Sequence, residues 1–463
     1  MKKTLVIAEK PSVGKDIARV LNAGQKGNGF AEGQSFVITW ALGHLIELAE
    51  PAFYNNDWRQ WSLENLPMIP DRMKLRVIKK TRGQFNLIRN LIGREDIGEV
   101  VIATDAGREG ELVARWILIL AGWHGPVKRL WISSQTDTAI KEGFRNLKPS
   151  KQYDSLFYAA RARAEADWLI GLNVTRALTC KYNSPLNAGR VQSPTLAILL
   201  RREKERQEFV PKDYWNIEAI TEGLNWQLRE PGKTRIFDPD LTEETAKAIE
   251  GQEGEVESVV KKEKSKPHPL LYDLTELQRE ANKRFGFPAK KTLSLAQSLY
   301  ERHKVLTYPR TDSRYLTTDM QSTLLARLES LRFGRYDELV GQIMTHGISV
   351  GKRVINDRKV TDHHAIIPTG ERFDFERLTT DEKKLFALVA RRFLAVFFPD
   401  KKYTITEAIM TAAGMKLRAQ GMEMVDIGWT KVDQEVEEEG EDVRFQNISN
   451  VNKDDKLAVT KVL

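Results

Sequence analysis

TLVIAEK at residues 4–10 and EVVIATD at 99–105 are compact β-branched apolar runs, and each ends on an acidic residue. Unbroken apolar runs of this length suit strands buried on both faces, as in a parallel sheet covered by helices. Open sheets of that kind bind ligands at the C-terminal ends of their strands. Glu9 and Asp105 are therefore delivered where chemistry is expected. A helix should follow each run: SVGKDIARVLN with Ser12 as candidate cap, and GREGELVARWILIL with Leu112, Val113, Trp116, Ile117 and Leu120 on one face. These elements define an expected first domain at residues 1–150.

At 463 residues the chain is too long for one ordinary core. The stretch YDSLFYAARARAEADWLIGLNVTRALT reads as a long helix, giving a helical segment at 151–212. Alternating runs such as DYWNIEAI and GEVESVVKKE, separated by the turn-rich EPGK and DPD, make 213–275 β-rich. Helical patterning returns over 276–401, and strand-like runs (YTITEAIMTAA, GMKLRAQGM, KLAVTKVL) fill 402–463, where the acidic QEVEEEGEDV reads as a solvated hairpin loop. The order suggests a β-rich domain interrupted by an inserted helical one.

Lys+Arg number 72 against 64 Asp+Glu, a formal net charge of +8, which suits a polyanionic partner. The single cysteine, Cys180, excludes an internal disulfide framework and a cysteine zinc cluster, and fits a cytoplasmic setting. The apolar N-terminal run is too short for a signal-peptide core, and WILILAGW is far below a membrane span.

Glu9 and Asp105, with Glu109 and Glu111 in TDAGREGE, could converge on a divalent cation; equally, Glu9 and Asp105 could cap the following helices. A nucleotide phosphate loop at SVGKD fails, because Glu9 occupies its first glycine position and Asp16 its Ser/Thr position. LNAGRVQSPT offers a small-residue turn with Asn187, Gly189, Arg190 and Gln192, suited either to a phosphodiester or to an ordinary loop. In TDHHAIIPT, His363 and His364 point opposite ways if extended, a poor joint metal site, but compatible with one histidine meeting a phosphate or with a purely structural histidine. VLTYPRTDSRYL ends a short apolar run on Tyr308, followed by Pro309 and Arg310.

Taken together, IAEKPSVGKDIA, ATDAGREGE, NAGRVQSPT, TYPRTDSRYL and TDHHAIIPT resemble, in order and spacing, the type IA DNA topoisomerases, with the flavour of bacterial topoisomerase III. The resemblance implies a Toprim (Rossmann-like) domain joined to helical and β-rich domains in a toroidal core. It matches Tyr308 to the nucleophile that forms a 5′-phosphotyrosyl bond with single-stranded DNA and later releases it without ATP. An ordinary phenol, with a pKa of ~10, needs help to lose its proton at neutral pH. By the same match Arg310, Lys10 and His363 face the scissile phosphate, Glu9 is both magnesium ligand and acid or base at the 3′ oxygen, and Asp105 is the main metal ligand with Glu109. Asn187, Ala188, Gly189, Arg190, Val191 and Gln192, with Trp168, Arg176 and Trp61, map to the path of the single strand.

Two departures stand out. Many relatives read D-x-D-x-E where this chain has Gly107, and relatives continue past the position of Leu463, which suggests a shortened chain. The expectation is a monomeric, magnesium-dependent, cytoplasmic, nucleoid-associated bacterial enzyme that relaxes or decatenates DNA, passing duplex through the ring, with no nucleotide cofactor and no membrane. Two alternatives are a fragment that only binds single-stranded DNA and a Toprim nuclease or primase-like enzyme with no role for Tyr308.

Overall fold

The computed structural model describes residues 2–132, 135–229, 235–348, 350–360, 363–433 and 446–463. The acidic run 434–443, the EPGK turn, and Thr361 and Asp362 of the histidine motif lie outside the described residues. The chain divides into two compact units, one comprising residues 1–207, 272–327 and 351–371, the other 208–271, 328–350 and 372–463.

The first unit is built on a seven-stranded sheet. Lys3–Ala8 is its central strand, parallel to Phe36–Trp40 on one side and to Ile97–Ala103 on the other; Val127–Arg129 extends the parallel part. Leu5 and Ile7 enter one apolar cluster with Ile102, while Val6 and Ala8 enter the opposite cluster with Val101 and Ala103. Burial on both faces is the physical reason both runs read as continuously apolar. The register pairs Ala8 with Ala103, so Glu9, one residue on, and Asp105, two residues on, leave the sheet at the same end.

Helices follow both strands, Pro11–Val20 and Arg108–Ala121. The expected cap at Ser12 is not used. Pro11 takes the first helical position, which suits its fixed φ and missing N–H, so Lys10 becomes the N-cap. The long helix Asp154–Tyr182 packs against Arg108–Ala121 in the same unit, and Gln192–Gln207 follows the NAGRV turn.

The second unit is a seven-stranded antiparallel sheet around the long strands Glu253–Lys266, Lys401–Ala412 and Met415–Asp426. Strands from before and after the 276–401 segment thus share one sheet, over a core that includes Trp226, Val256 and Met410. A helix, Pro239–Ile249, sits inside the stretch read as β-rich. The segment 276–401 is shared: Leu274–Phe285 and Ala289–Glu301 belong to the first unit, Thr380–Ala395 to the second.

Candidate active site at the parallel strand ends

The backbone and one carboxylate oxygen of Asp105 are held by groups from several parts of the chain. Its backbone N–H donates to Glu9 Oε2 at 2.9 Å. Its carbonyl accepts from Gly107 N at 2.8 Å and from Arg129 Nη2 at 2.6 Å. Its Oδ2 accepts from Lys10 Nζ and from His363 Nε2, both at 3.2 Å. Gly110 makes this packing possible: a Cβ there would lie 2.3 Å from the Asp105 carbonyl oxygen. Neither Glu9 nor Asp105 caps a helix, since the N-caps are Lys10 and Gly107 and neither forms a side-chain cap bond.

Tyr308 is brought to this cluster by pairing between two motifs that are far apart in sequence. Thr307 N donates to the Ile367 carbonyl, Thr307 Oγ1 to that of Ala365, Thr311 Oγ1 to that of His363, and Thr369 N to that of Val305. The resulting antiparallel register sets the Tyr308 ring 4.3 Å from the His363 ring, centroid to centroid, and 5.4 Å edge-on from Tyr300. Lys10 Nζ sits 4.0 Å over the Tyr308 ring centre. Arg310 is exposed and forms no ion pair among the described residues, leaving its guanidinium available to an incoming anion.

The two carboxylates are driven apart electrostatically. Burial, reinforced by the Asp105 charge, raises Glu9 to about 7. Burial also pushes Asp105 upward, but the His363 hydrogen bond and the Lys10 charge outweigh it and hold Asp105 well below the usual range. Burial works against the Lys10 ammonium too, yet its interactions with Asp105 first, and then with Tyr308 and Glu9, raise it. One carboxyl able to carry a proton near neutrality beside one that stays ionised is the pattern of a divided acid and base. His364 does not take part: burial lowers it to about 4 and its Nδ1 lies 2.8 Å from the Ala365 carbonyl.

Glu109, the further metal ligand that the resemblance implies, is engaged by a cation in this structure. Glu109 pairs with Arg163 at 2.5 Å, and Glu111 is wholly buried between Arg115 and Arg129 at 2.8 and 2.9 Å. Among the described residues no group of three or more His, Cys, Asp or Glu forms a metal cluster. The repulsion that raises Glu9 is nevertheless what a hard cation between Glu9 and Asp105 would relieve. Two carboxylates fit magnesium completed by water and phosphate oxygens.

The residues assigned to a strand path gather on the helix Asp154–Tyr182. Trp168 Nε1 donates to the Ala49 carbonyl and its ring meets Tyr54 edge-on. Arg176, almost fully buried, donates to the Trp58 carbonyl at 2.6 Å and lies 5.2 Å over the Trp61 ring, which is half-exposed. Thr175 and Thr179 bind the backbone at Ala188 and Leu186, fastening the turn that carries Asn187 and Gly189 to the same helix. Arg190 is engaged by Asp167 at 2.8 Å, so a phosphate would have to take its place; Val191 is exposed, and Gln192 opens the next helix.

Sequence reasoning missed Arg129 and Tyr300. Arg129 donates to Glu111 and to the carbonyls of Ile102, Thr104, Asp105 and Leu130, gripping the strand end that carries Asp105. The only sequence signal was a charge placed in a strand-like run, VKRLW, where burial requires a partner.

Comparison with known proteins shows the family to which the chain belongs. Residues 151–463 match the DNA topoisomerase family and residues 4–134 match the Toprim domain. The chain belongs to the type IA DNA topoisomerase family. It is 50% identical over 463 residues to DNA topoisomerase 3 of Bacillus subtilis (strain 168), covering 99% of this chain and 64% of that protein, and 50% identical to DNA topoisomerase 3 of Shouchella clausii, covering 63% of it. The chain thus spans somewhat less than two thirds of these relatives. The structure of full-length topoisomerase I from Thermotoga maritima superposes with a TM-score of 0.67 at 23% identity, over 99% of this chain and 71% of that one, and supports the multidomain fold. The Toprim domain in this family is generally metal-binding. No described helix is long and apolar enough to cross a membrane.

Proposed function

We propose that this chain carries the cleavage and religation centre of an ATP-independent DNA topoisomerase acting on single-stranded DNA. The observation that carries the reading is the convergence of Tyr308, Lys10, His363, Asp105 and Glu9 from four separated motifs. The Tyr308 phenol oxygen attacks the scissile phosphorus and its proton passes to water. A P–O bond to tyrosine forms as the bond to O3′ breaks. Lys10, positioned over the ring, stabilises the developing phenolate, and Arg310 binds the non-bridging phosphate oxygens. Glu9 donates its proton to the departing O3′ and takes it back on resealing, for which a pKa near 7 is well matched. Asp105, which stays ionised, and Glu9 in its deprotonated state would hold magnesium, which would supply positive charge to the phosphate when bound. Asp105 meanwhile keeps Lys10 and His363 oriented.

Residues 187–192 with Trp61, Trp168 and Arg176 form the path of the strand, where aromatic and cationic groups bind without sequence preference. We propose the same division of the chain into 1–150, 151–212, 213–275, 276–401 and 402–463, and a monomer in the bacterial cytoplasm at the nucleoid, with relaxation or decatenation as its task.

The test is covalent capture. Labelled single-stranded DNA with magnesium is denatured by detergent, comparing the chain with Tyr308→Phe. A labelled protein band, 5′-linked and absent in the variant, supports the reading. Equal DNA binding by both, with no band from either, would leave a binding fragment and refute it.

A further inference from the structure

Between Arg72 and Arg94 the sequence has eight cationic residues, Lys74, Lys79, Lys80 and five arginines, and no Asp or Glu. This local charge equals the formal +8 of the whole chain. Part of it is neutralised by the fold: Arg94 pairs with Glu32 and Asp96, and Arg76 with Glu47 and Glu50. Lys79, Arg82 and Arg89 are exposed and form no ion pair among the described residues. Together with Arg76 and Asn86 they line a cleft of about 390 Å³ whose rim carries Phe53, a ring 58% exposed with Lys74 Nζ 5.8 Å from its centre.

None of these residues belongs to the Tyr308 cluster. Phe53 does, however, precede Tyr54, whose ring packs on Trp168, so the cleft adjoins the segment held against the proposed strand path. Unpaired cations with an exposed aromatic face are the chemistry that holds a single strand, phosphates on the cations and a base on the ring.

We propose that this cleft is a further single-stranded-DNA subsite, with Lys79, Arg82 and Arg89 taking backbone phosphates and Phe53 stacking a base. The proposal deepens the reading of the chain as a DNA enzyme and rests on it for the identity of the polyanion. It is tested by fluorescence anisotropy on a labelled single-stranded oligonucleotide over a range of KCl concentrations. Each phosphate contact contributes about 0.7 to the slope of log affinity against log salt on a single strand. The combined change Lys79→Ala, Arg82→Ala, Arg89→Ala should therefore flatten that slope by about 2. The charge-preserving set Lys79→Arg, Arg82→Lys, Arg89→Lys should keep it, and Phe53→Ala should weaken binding roughly tenfold without changing it. A wild-type slope and affinity in the triple alanine variant would overturn the proposal, as would a slope loss seen only with duplex. Covalent capture through Tyr308 is read separately. Capture lost with the salt effect intact would count against the cleavage reading and leave the subsite standing, and the reverse would count against the subsite alone.

Discussion

Replacing Arg129 with methionine should destabilise the first unit more than any surface change, because the side chain is completely buried against an equally buried Glu111. Its loss has unequal consequences for its five acceptors. The Ile102 carbonyl keeps the Leu130 N–H, and the Asp105 carbonyl keeps that of Gly107. The Thr104 and Leu130 carbonyls lose the guanidinium, and Glu111 retains only Arg115. Breaking a buried pair by removing one partner costs about 3–5 kcal/mol. Arg115 keeps the figure at the low end and the two stranded carbonyls raise it again, so we expect about 4 kcal/mol. For a unit of this size ~1 kcal/mol lowers the midpoint by about 2–4 °C, giving a fall of roughly 8–16 °C. Near-UV circular dichroism can follow it, because Trp131 lies 5.1 Å from the Arg129 guanidinium and stacks on Tyr153. Removing both charges, Glu111→Leu with Arg129→Met, should recover at least half the loss. A single-variant fall under ~3 °C, or a double variant as unstable as the two singles added, would refute the account.

Gly110→Ala should cost activity out of proportion to its size, since the new Cβ meets backbone at Asp105 and not a flexible side chain; covalent capture should fall at least ~10-fold with the far-UV spectrum unchanged. The raised Glu9 makes stability depend on pH with a definite sign. Its favourable contribution is complete below the ordinary carboxyl value of 4.5 and is lost as pH rises to about 7. Wild type should therefore lose about 1–3 kcal/mol relative to Glu9→Gln between pH 4.5 and 8, measured as the difference between their urea midpoints. Magnesium at pH 8 should restore part of that loss in wild type but not in the variant. Thr175→Val removes both bonds to Ala188 and should weaken binding of single-stranded DNA a few-fold while sparing the Tyr308 site, read by anisotropy and capture on the same preparation.

How much was legible from sequence follows from what each residue does in the fold. TLVIAEK and EVVIATD were readable because strands buried on two faces must be apolar throughout, and their register fixes Glu9 beside Asp105. Pro11 overrode Ser12 as a cap signal because a proline at the first helical position determines where the helix begins. The helix Pro239–Ile249 was hidden by its neighbours, although DPDLTEE carries an aspartate cap, Asp238, that accepts from Asp240 N and Leu241 N. The pairing of Glu109 with Arg163, 54 residues on, was not legible, because spacing alone cannot show which cation the fold brings to a carboxylate.

Arg129 illustrates the deeper limit. A charged residue in a sequence is ordinarily read as solvent-facing, and only the fold reveals five acceptors around this one. The division of labour at the site has the same origin. Glu9 and Asp105 are both carboxylates at strand ends, and nothing in their local sequence separates them. Lys10 and His363 both hydrogen-bond Asp105, which holds it ionised, whereas for Glu9 the burial cost outweighs the pull of Lys10. The different roles proposed for the two acids are therefore set by the pairing of the 305–311 and 363–369 segments, which places His363 beside Asp105 and Tyr308 beneath Lys10.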